Sequence, residues 1–145
     1  MSNSSSERRS GTQDIIDKLL TERQEMLVIF CELAGHQPFN LNEDGETLQR
    51  FCEVLVDYSA FAHFEIYERV IDGRERRQKV LDVAREVYPR ISEASEVAVE
   101  FNDKYDEADH ELDLSHLDAD LSKLGEELAV RIEMEDRIID ALTHQ

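Results

Sequence analysis

The chain contains few residues that break helices, with only two prolines and five glycines among its 145 residues. Together with abundant Leu, Glu, Ala and Arg, this scarcity favours long helices over a multi-stranded sheet. The length supports one sizeable core and is too short for two comfortable domains. We therefore predict an all-α fold, with a disordered, Ser-rich arm at residues 1–11 and a single helical-bundle domain at residues 12–145.

Positive charge is also scarce, because 16 basic side chains face 34 acidic ones and the net charge is -18. Such a charge opposes non-specific binding to DNA, RNA or an anionic membrane, so we expect no direct nucleic-acid binding. A basic partner fits the charge better. An acidic surface that simply keeps the protein soluble explains the same composition, so charge alone does not name a partner.

Long apolar runs and paired cysteines are missing as well. No segment approaches the ~20 apolar residues of a membrane span, and the polar start MSNSSSERRSGTQ lacks the apolar run of a signal peptide. Cys31 and Cys52 lie among apolar helical neighbours and form no CxxC pair, which predicts buried, reduced thiols. We expect a soluble, cytoplasmic protein.

The positions of the breakers divide the chain into four helices. Gly35 ends the first helix, turn-favouring residues fill a loop at 36–45, and Gly73 follows the second helix. Pro89 should kink or split the third helix, since it removes one amide donor. Short connections then predict an up-down-up-down four-helix bundle. The predicted helices cover residues 12–34, 46–71, 74–108 and 115–142.

The second predicted helix carries polar residues and aromatics in unusual places. At 100° per residue, its core face includes Phe51, Tyr58 and Ile66. Asp57 and Glu68 share the opposite face. Phe61 and Phe64 stand on either side of that acidic pair, which indicates a docking surface for a basic partner with apolar pockets. The alternative is that both phenylalanines pack beneath the loop at 36–45 or against the third helix.

Several charged or polar residues interrupt the apolar stripes of the first, second and fourth helices. In a parallel arrangement of the second and fourth helices, these residues fall near one level of the bundle. We predict that they form an internal polar cluster, because buried charges persist only when they are paired. Such a cluster could set helix register, receive a ligand or organise the partner surface. Its predicted members are Arg23, His63, Tyr67, Arg131 and Glu135.

Catalytic and metal-binding motifs have little support. A di-iron bundle needs two Glu-x-x-His motifs and two further glutamates. Glu107 and His110 have one such spacing, and Asp113 with His116 is a weaker analogue in the same acidic connection. No P-loop, dinucleotide fingerprint or GxSxG motif occurs. We therefore predict no enzyme activity, no catalytic or metal site and no cofactor.

Four ordered stretches resemble one known family. VDYSAFAHFEIYER at residues 56–69 is similar to the second-helix motif of the regulator of sigma D family, Rsd/AlgQ. LLTERQEMLVIFCELAG at 19–35, the YP dipeptide at 88–89 and LAVRIEMEDRIID at 128–140 are similar to further stretches of that family. The basic segment GRERRQK at 73–79 matches no motif of the family.

The resemblance implies a bacterial anti-sigma factor that binds the C-terminal promoter-recognition domain of the primary sigma factor. It also implies that the partner surface involves the motif carried by Asp57, Tyr58 and His63, with the last-helix motif beside it. Together with the acidic and aromatic positions above, the predicted sigma-binding residues are Asp57, Tyr58, Phe61, His63, Phe64 and Glu68. The alternative is a helical-bundle adaptor for another regulatory protein.

Overall fold

The computed structural model describes residues 2–36, 38–71, 77–106 and 113–143, with the backbone alone at 2–10 and 71. Within these ranges every regular element is helical and no strand occurs, which confirms the all-α prediction. The second helix contains a π-helical segment between two α-helical pieces. The elements are a first helix at Ser2–Ala34, a second helix at Leu41–Ala62, His63–Tyr67 (π) and Glu68–Ile71, a third helix at Gln78–Tyr105 and a fourth helix at Leu117–Thr143.

The first helix begins earlier than predicted. Its backbone is helical from Ser2, so the predicted start at Thr12 was wrong. The disorder of an arm at residues 1–11 stays a prediction. The segment contains no proline, and Gly11 within a helix costs only about 1 kcal/mol relative to alanine. The end was predicted correctly, since the helix stops at Ala34 and the Gly35 amide donates to the Cys31 carbonyl at 3.1 Å.

The second helix also begins early, at Leu41, because the turn-favouring residues before it cap the helix. The Asn40 side chain accepts a hydrogen bond from the Asn42 amide at 2.8 Å. In return, the Asn40 amide donates to the Asp44 carboxylate at 2.7 Å. Each of these bonds satisfies a backbone donor that helix geometry leaves open, so the loop predicted at 36–45 shortens to the residues before Leu41.

The third helix runs through Pro89 without a break, so the predicted split was wrong. Val87 and Ile91 are buried on either side of the proline, and their packing compensates for the single missing amide bond. A kink at this point stays a prediction. The fourth helix matches its predicted bounds to within two residues, whereas parts of the predicted third helix, at 74–76 and 107–108, lie outside the described residues.

The four helices share one hydrophobic core and form a helical bundle. The first helix packs mainly on the second and the third mainly on the fourth, with smaller contacts between the second and third and between the first and fourth. Phe51 lies in this core between two other aromatic side chains. The centre of its ring is 5.7 Å from the ring centres of Phe30 of the first helix and Phe101 of the third. Buried core residues from all four helices include Leu19, Met26, Leu55, Tyr58, Ile91, Leu124 and Leu128.

Candidate functional site

A fully buried carboxylate lies inside the bundle. Glu135 of the fourth helix has no exposed side-chain surface. Its Oε1 accepts from Arg23 Nη2 at 2.7 Å and from the Tyr58 hydroxyl at 2.5 Å, and its Oε2 accepts from the Tyr67 hydroxyl. The donors come from the first and second helices. One side chain of the fourth helix therefore ties three helices together.

Arg23 supplies the closest positive charge to this carboxylate. Its Nη1 donates to Asp136 at 2.8 Å, so one guanidinium binds two neighbouring acidic residues of the fourth helix. Burial acts to lower the pKa of Arg23, but the hydrogen bond and the charge of Glu135 raise the pKa above its usual range. The arginine stays charged although it is only 10% exposed.

Arg131 completes the polar cluster, which we define as Arg23, Tyr58, Tyr67, Arg131 and Glu135. Its guanidinium lies 5.2 Å from the centre of the Tyr58 ring, within the range of cation–π attraction. Its Nη1 reaches Ser95 at 3.2 Å and Ser59 at 3.4 Å. These serines belong to the second and third helices, so the cluster contacts all four helices.

The two tyrosines of the cluster are held as neutral donors. Burial raises the pKa of Tyr58 and of Tyr67 above the usual range of a phenol, and the negative charge of Glu135 acts in the same direction. A protonated phenol can donate to a carboxylate, whereas a phenolate would repel it. The positive charges of Arg23 and Arg131 then balance the negative charges of Glu135 and Asp136.

Four of the five residues predicted for the cluster come together, and His63 does not. The His63 side chain is exposed, and its ring meets the edge of Phe64 at 5.0 Å instead. Tyr58 takes the place that had been expected for the histidine. A signal for Tyr58 was present in the sequence, because a tyrosine on a core face usually needs a hydrogen-bond partner for its hydroxyl.

The outer side of the second helix carries most of the predicted sigma-binding residues. Asp57 and His63 are exposed, and Phe64 is 60% exposed. Glu68 is half-buried, and so is Phe61, whose ring lies 4.7 Å below the Lys18 amino group of the first helix. We define the motif surface as Asp57, Phe61, His63, Phe64 and Glu68.

Tyr58 does not belong to the motif surface. It is fully buried and its hydroxyl donates to Glu135, while its predicted role in sigma binding stays a prediction. The helical period explains the difference, since Tyr58 lies on the core face while its neighbour Asp57 points outward. Any effect of Tyr58 on binding must therefore act through the polar cluster.

The first helix adds a further acidic group, Glu22, beside the motif surface. Burial raises the pKa of Glu22, while Lys18 lowers it and the negative charge of Asp57 raises it. Among the described residues, the Glu22 Oε2 atom is buried without a hydrogen-bond partner. The first helix thus places both Glu22 and Lys18 beside the motif surface.

The part of the chain that the structure describes contains neither a metal-binding cluster nor a membrane-spanning helix. There, no three His, Cys, Asp or Glu side chains gather as they would around a metal ion. Asp113 accepts a hydrogen bond from the Ser115 amide at 2.9 Å, which is a turn contact, while Glu107 and His110 lie outside the described residues. No described helix has the length and apolarity needed to cross a membrane.

These features define a helical-bundle protein with a buried ion-pair cluster beneath an exposed acidic and aromatic surface. The family model described as "Regulator of RNA polymerase sigma(70) subunit, Rsd/AlgQ" matches residues 1–143. The chain belongs to the Rsd/AlgQ family, as its motifs indicated. The family is one of regulatory proteins that act on a sigma factor.

Individual relatives agree with this assignment. The chain is 32% identical to the regulator of sigma D of Yersinia enterocolitica over 140 residues, which cover 92% of this chain and 83% of that protein. It is 33% identical to the regulator of sigma D of Salmonella paratyphi B over 140 residues, covering 92% and 84%. The similarity therefore spans nearly all of this chain and more than four fifths of each relative.

Proposed function

We propose that this protein is an anti-sigma factor that binds the C-terminal promoter-recognition domain of the primary sigma factor. Binding would keep that domain from core RNA polymerase and from promoter DNA, and so regulate transcription in the cytoplasm. The family description supplies the sigma(70) subunit as the partner class. The observation that carries the finer proposal is the motif surface, where the exposed Phe64 ring and the Asp57 carboxylate lie on one helix.

The chemistry of the two surfaces supports this pairing. A helix-turn-helix that reads promoter DNA is basic because it must meet phosphate. The motif surface offers carboxylates around an aromatic side chain, on a chain with a net charge of -18. Aromatic anchors contribute strongly to protein interfaces, and charge complementarity accelerates encounter. The protein would act by occupying the sigma domain, as a non-enzymatic regulator without a cofactor.

We also propose the up-down-up-down arrangement for the bundle, because contacts between neighbouring helices occur in reversed order along the chain. In the first pair, Lys18 meets Phe61 while Phe30 meets Phe51. The third and fourth helices show the same reversal in their ion pairs. Arg90 binds Glu127 at 2.7 Å, and Glu86 binds Arg137 at 2.7 Å.

The proposal is tested by calorimetric titration of this protein into the isolated C-terminal domain of its own primary sigma factor. We expect saturable one-to-one binding that weakens as salt is added, since screening reduces charge attraction. Phe64→Ala should weaken binding by about 2 kcal/mol as an interface anchor. Asp57→Ala should raise Kd about tenfold, which corresponds to ~1.4 kcal/mol.

Asp103→Ala serves as the matched control, because Asp103 is an exposed aspartate on the third helix, away from the motif surface. It should leave Kd within about twofold of the parent, as expected for a charge outside the interface. Equal weakening by Asp57→Ala and Asp103→Ala would place the interface elsewhere. An absence of binding at high micromolar concentration would overturn the anti-sigma proposal and leave an adaptor for another regulatory protein.

A further inference from the structure

One turn of the second helix, His63–Tyr67, is wound as a π-helix. The Glu68 amide donates to the His63 carbonyl, five residues earlier instead of four. The turn HFEIY contains neither proline nor glycine, so a backbone breaker does not explain it. π-Helical turns are rare and are found frequently at functional sites, which directs attention to what this turn positions.

The wide turn changes which side chains face the core. Regular winding at 100° per residue places His63 and Tyr67 together on the edge of the core face, as the sequence predicted. In the structure Ile66 and Tyr67 are consecutive and both almost fully buried, with 3% and 2% of their surface exposed, whereas His63 is exposed. The extra residue therefore lets Tyr67 face inward although His63, four residues earlier, faces outward.

The contacts that hold Tyr67 inward come from the opposite side of the bundle. Its hydroxyl donates to Glu135, and the Arg131 guanidinium lies 5.9 Å from the centre of its ring. Its ring also meets the edge of the Tyr88 ring at 6.3 Å. These partners belong to the third and fourth helices. The π-turn is thus held by contacts of Tyr67 with other helices, and not by the second helix itself.

The outer side of the same turn carries part of the motif surface. His63, Phe64 and Glu65 are exposed side by side, and the rings of His63 and Phe64 are in edge-to-face contact. Asp57 precedes the turn, within the regular α-helical part. Glu68 follows the turn. The direction of Glu68 relative to Asp57 and Phe64 therefore depends on whether the turn is wound as π or as α.

We infer that Tyr67 is a positioning residue for the motif surface. Its hydrogen bond to Glu135 holds the π-turn, and the π-turn sets the direction of Glu68 relative to His63 and Phe64. The inference rests on the proposed function for the identity of the partner, but the structural link between Tyr67 and His63 exists without a partner.

The first experiment uses the protein alone. Tyr67→Phe keeps the ring and removes the hydroxyl. We expect the NMR signals of the His63 imidazole to shift and exchange of the Glu68 amide to accelerate about tenfold as the turn opens more often. Tyr105→Phe is the control, since Tyr105 is also fully buried and its hydroxyl donates to Asp120 at 2.5 Å, between the third and fourth helices. It should leave the His63 signals unchanged.

The second experiment titrates the sigma C-terminal domain with the same variants. Tyr67→Phe should raise Kd about fivefold or more, in the range of a coupling between an internal contact and a binding surface. Tyr105→Phe should leave Kd within about twofold, since its hydrogen bond lies away from the π-turn.

A deletion of Glu65 gives an independent check should Tyr67→Phe fold poorly. It removes the extra residue of the turn, so regular α winding can return while Tyr67 still reaches Glu135. Binding should weaken here too, because the position of Glu68 relative to Phe64 changes.

The outcomes separate the two proposals. A parent protein that does not bind the sigma domain would overturn the proposed function, while the NMR experiment still decides the link between Tyr67 and His63. Unchanged His63 signals and unchanged affinity in Tyr67→Phe would overturn the positioning role. Full affinity after deletion of Glu65 would show that the π-turn does not set the binding geometry.

Discussion

Arg131 and Glu135 lie one turn apart on the fourth helix and are both almost fully buried, yet they do not form a hydrogen bond. Arg131 Nε is 3.8 Å from Glu135 Oε2, and among the described residues that nitrogen has no hydrogen-bond partner. The oxygens of Glu135 are occupied by Arg23 and by the two tyrosines. The carboxylate thus serves contacts between helices, and its charge still stabilises Arg131 at short range.

Removing the charge of Glu135 should destabilise the fold strongly. Glu135→Gln leaves Arg131 buried without a nearby anion, and we expect a loss of about 3 kcal/mol in the free energy of unfolding, as for a broken buried ion pair. Urea denaturation measures this loss.

Asp136→Asn is the matched control for Glu135→Gln. Asp136 binds the same Arg23 but its side chain is 52% exposed, so the loss should stay within about 1 kcal/mol. If Glu135→Gln changed neither stability nor sigma binding, the cluster would have neither a structural nor a functional role.

Stability should fall in alkaline solution because of the buried tyrosines. Burial, followed by the charge of Glu135, raises the pKa of Tyr58 and Tyr67 in the folded state above the ordinary value of about 10. Their contribution to the free energy of unfolding is complete below about pH 10. It is lost as the pH rises toward the raised pKa of the folded state, because in that range only the unfolded chain releases the phenol protons.

Urea denaturation of the parent and of the double variant Tyr58→Phe/Tyr67→Phe measures this dependence at about pH 9 and pH 11, on either side of the phenol pKa. The double variant should start less stable and lose less over this interval. A loss as steep as that of the parent would contradict the assignment to these two phenols.

Two glycines inside helices should respond in opposite ways to alanine. A Cβ at Gly125 would lie 2.9 Å from Cζ of Phe30. Overpacking should cost about 2 kcal/mol and exceed the helix-propensity gain of about 1 kcal/mol, so Gly125→Ala should destabilise by about 1 kcal/mol. At Gly45 the nearest atom is Leu41 Cδ1 at 3.5 Å, and Gly45→Ala should stabilise by about 0.5–1 kcal/mol through helix propensity.

Thermal and urea unfolding measure both glycine variants. Combining Gly125→Ala with Phe30→Leu tests the cause, because the shorter side chain relieves the clash. A destabilising effect of Gly125→Ala that persists at full size in the Phe30→Leu background would show that Phe30 is not the obstacle.

The two cysteines should differ in reactivity toward a thiol reagent at neutral pH. Cys31 is exposed, contrary to the prediction from its apolar neighbours, whereas Cys52 is buried. Burial raises the pKa of the Cys52 thiol to about 12, with contributions from the charges of Asp106 and Glu53. Little reactive thiolate forms there at neutral pH.

Labelling of the folded protein should therefore show one fast thiol, and unfolding should expose a second. Cys31→Ser should remove the fast reaction, while Cys52→Ala should leave it in place. Two thiols of equal rate in the folded protein would contradict the burial of Cys52.

Much of the candidate site could be predicted because charged residues stand out within an apolar stripe. Arg23, Arg131 and Glu135 interrupt core faces of regular helices, where a period of 100° per residue holds, and the structure places them together. His63 was assigned to the cluster by the same period. The π-turn begins at that residue, so the period no longer holds from there to Tyr67.

The sequence by itself determined the helical class, the approximate extent of the helices and the family, because helix propensity, periodicity and short motifs are local properties. Only the tertiary structure decided that Tyr58 and Tyr67 share one carboxylate, that His63 faces outward and that one turn of the second helix is wide. The donors to Glu135 lie 68, 77 and 112 positions away along the chain. Such distant groups meet only when the helices pack, and their hydrogen bonds then set the local winding that the sequence pattern alone does not specify.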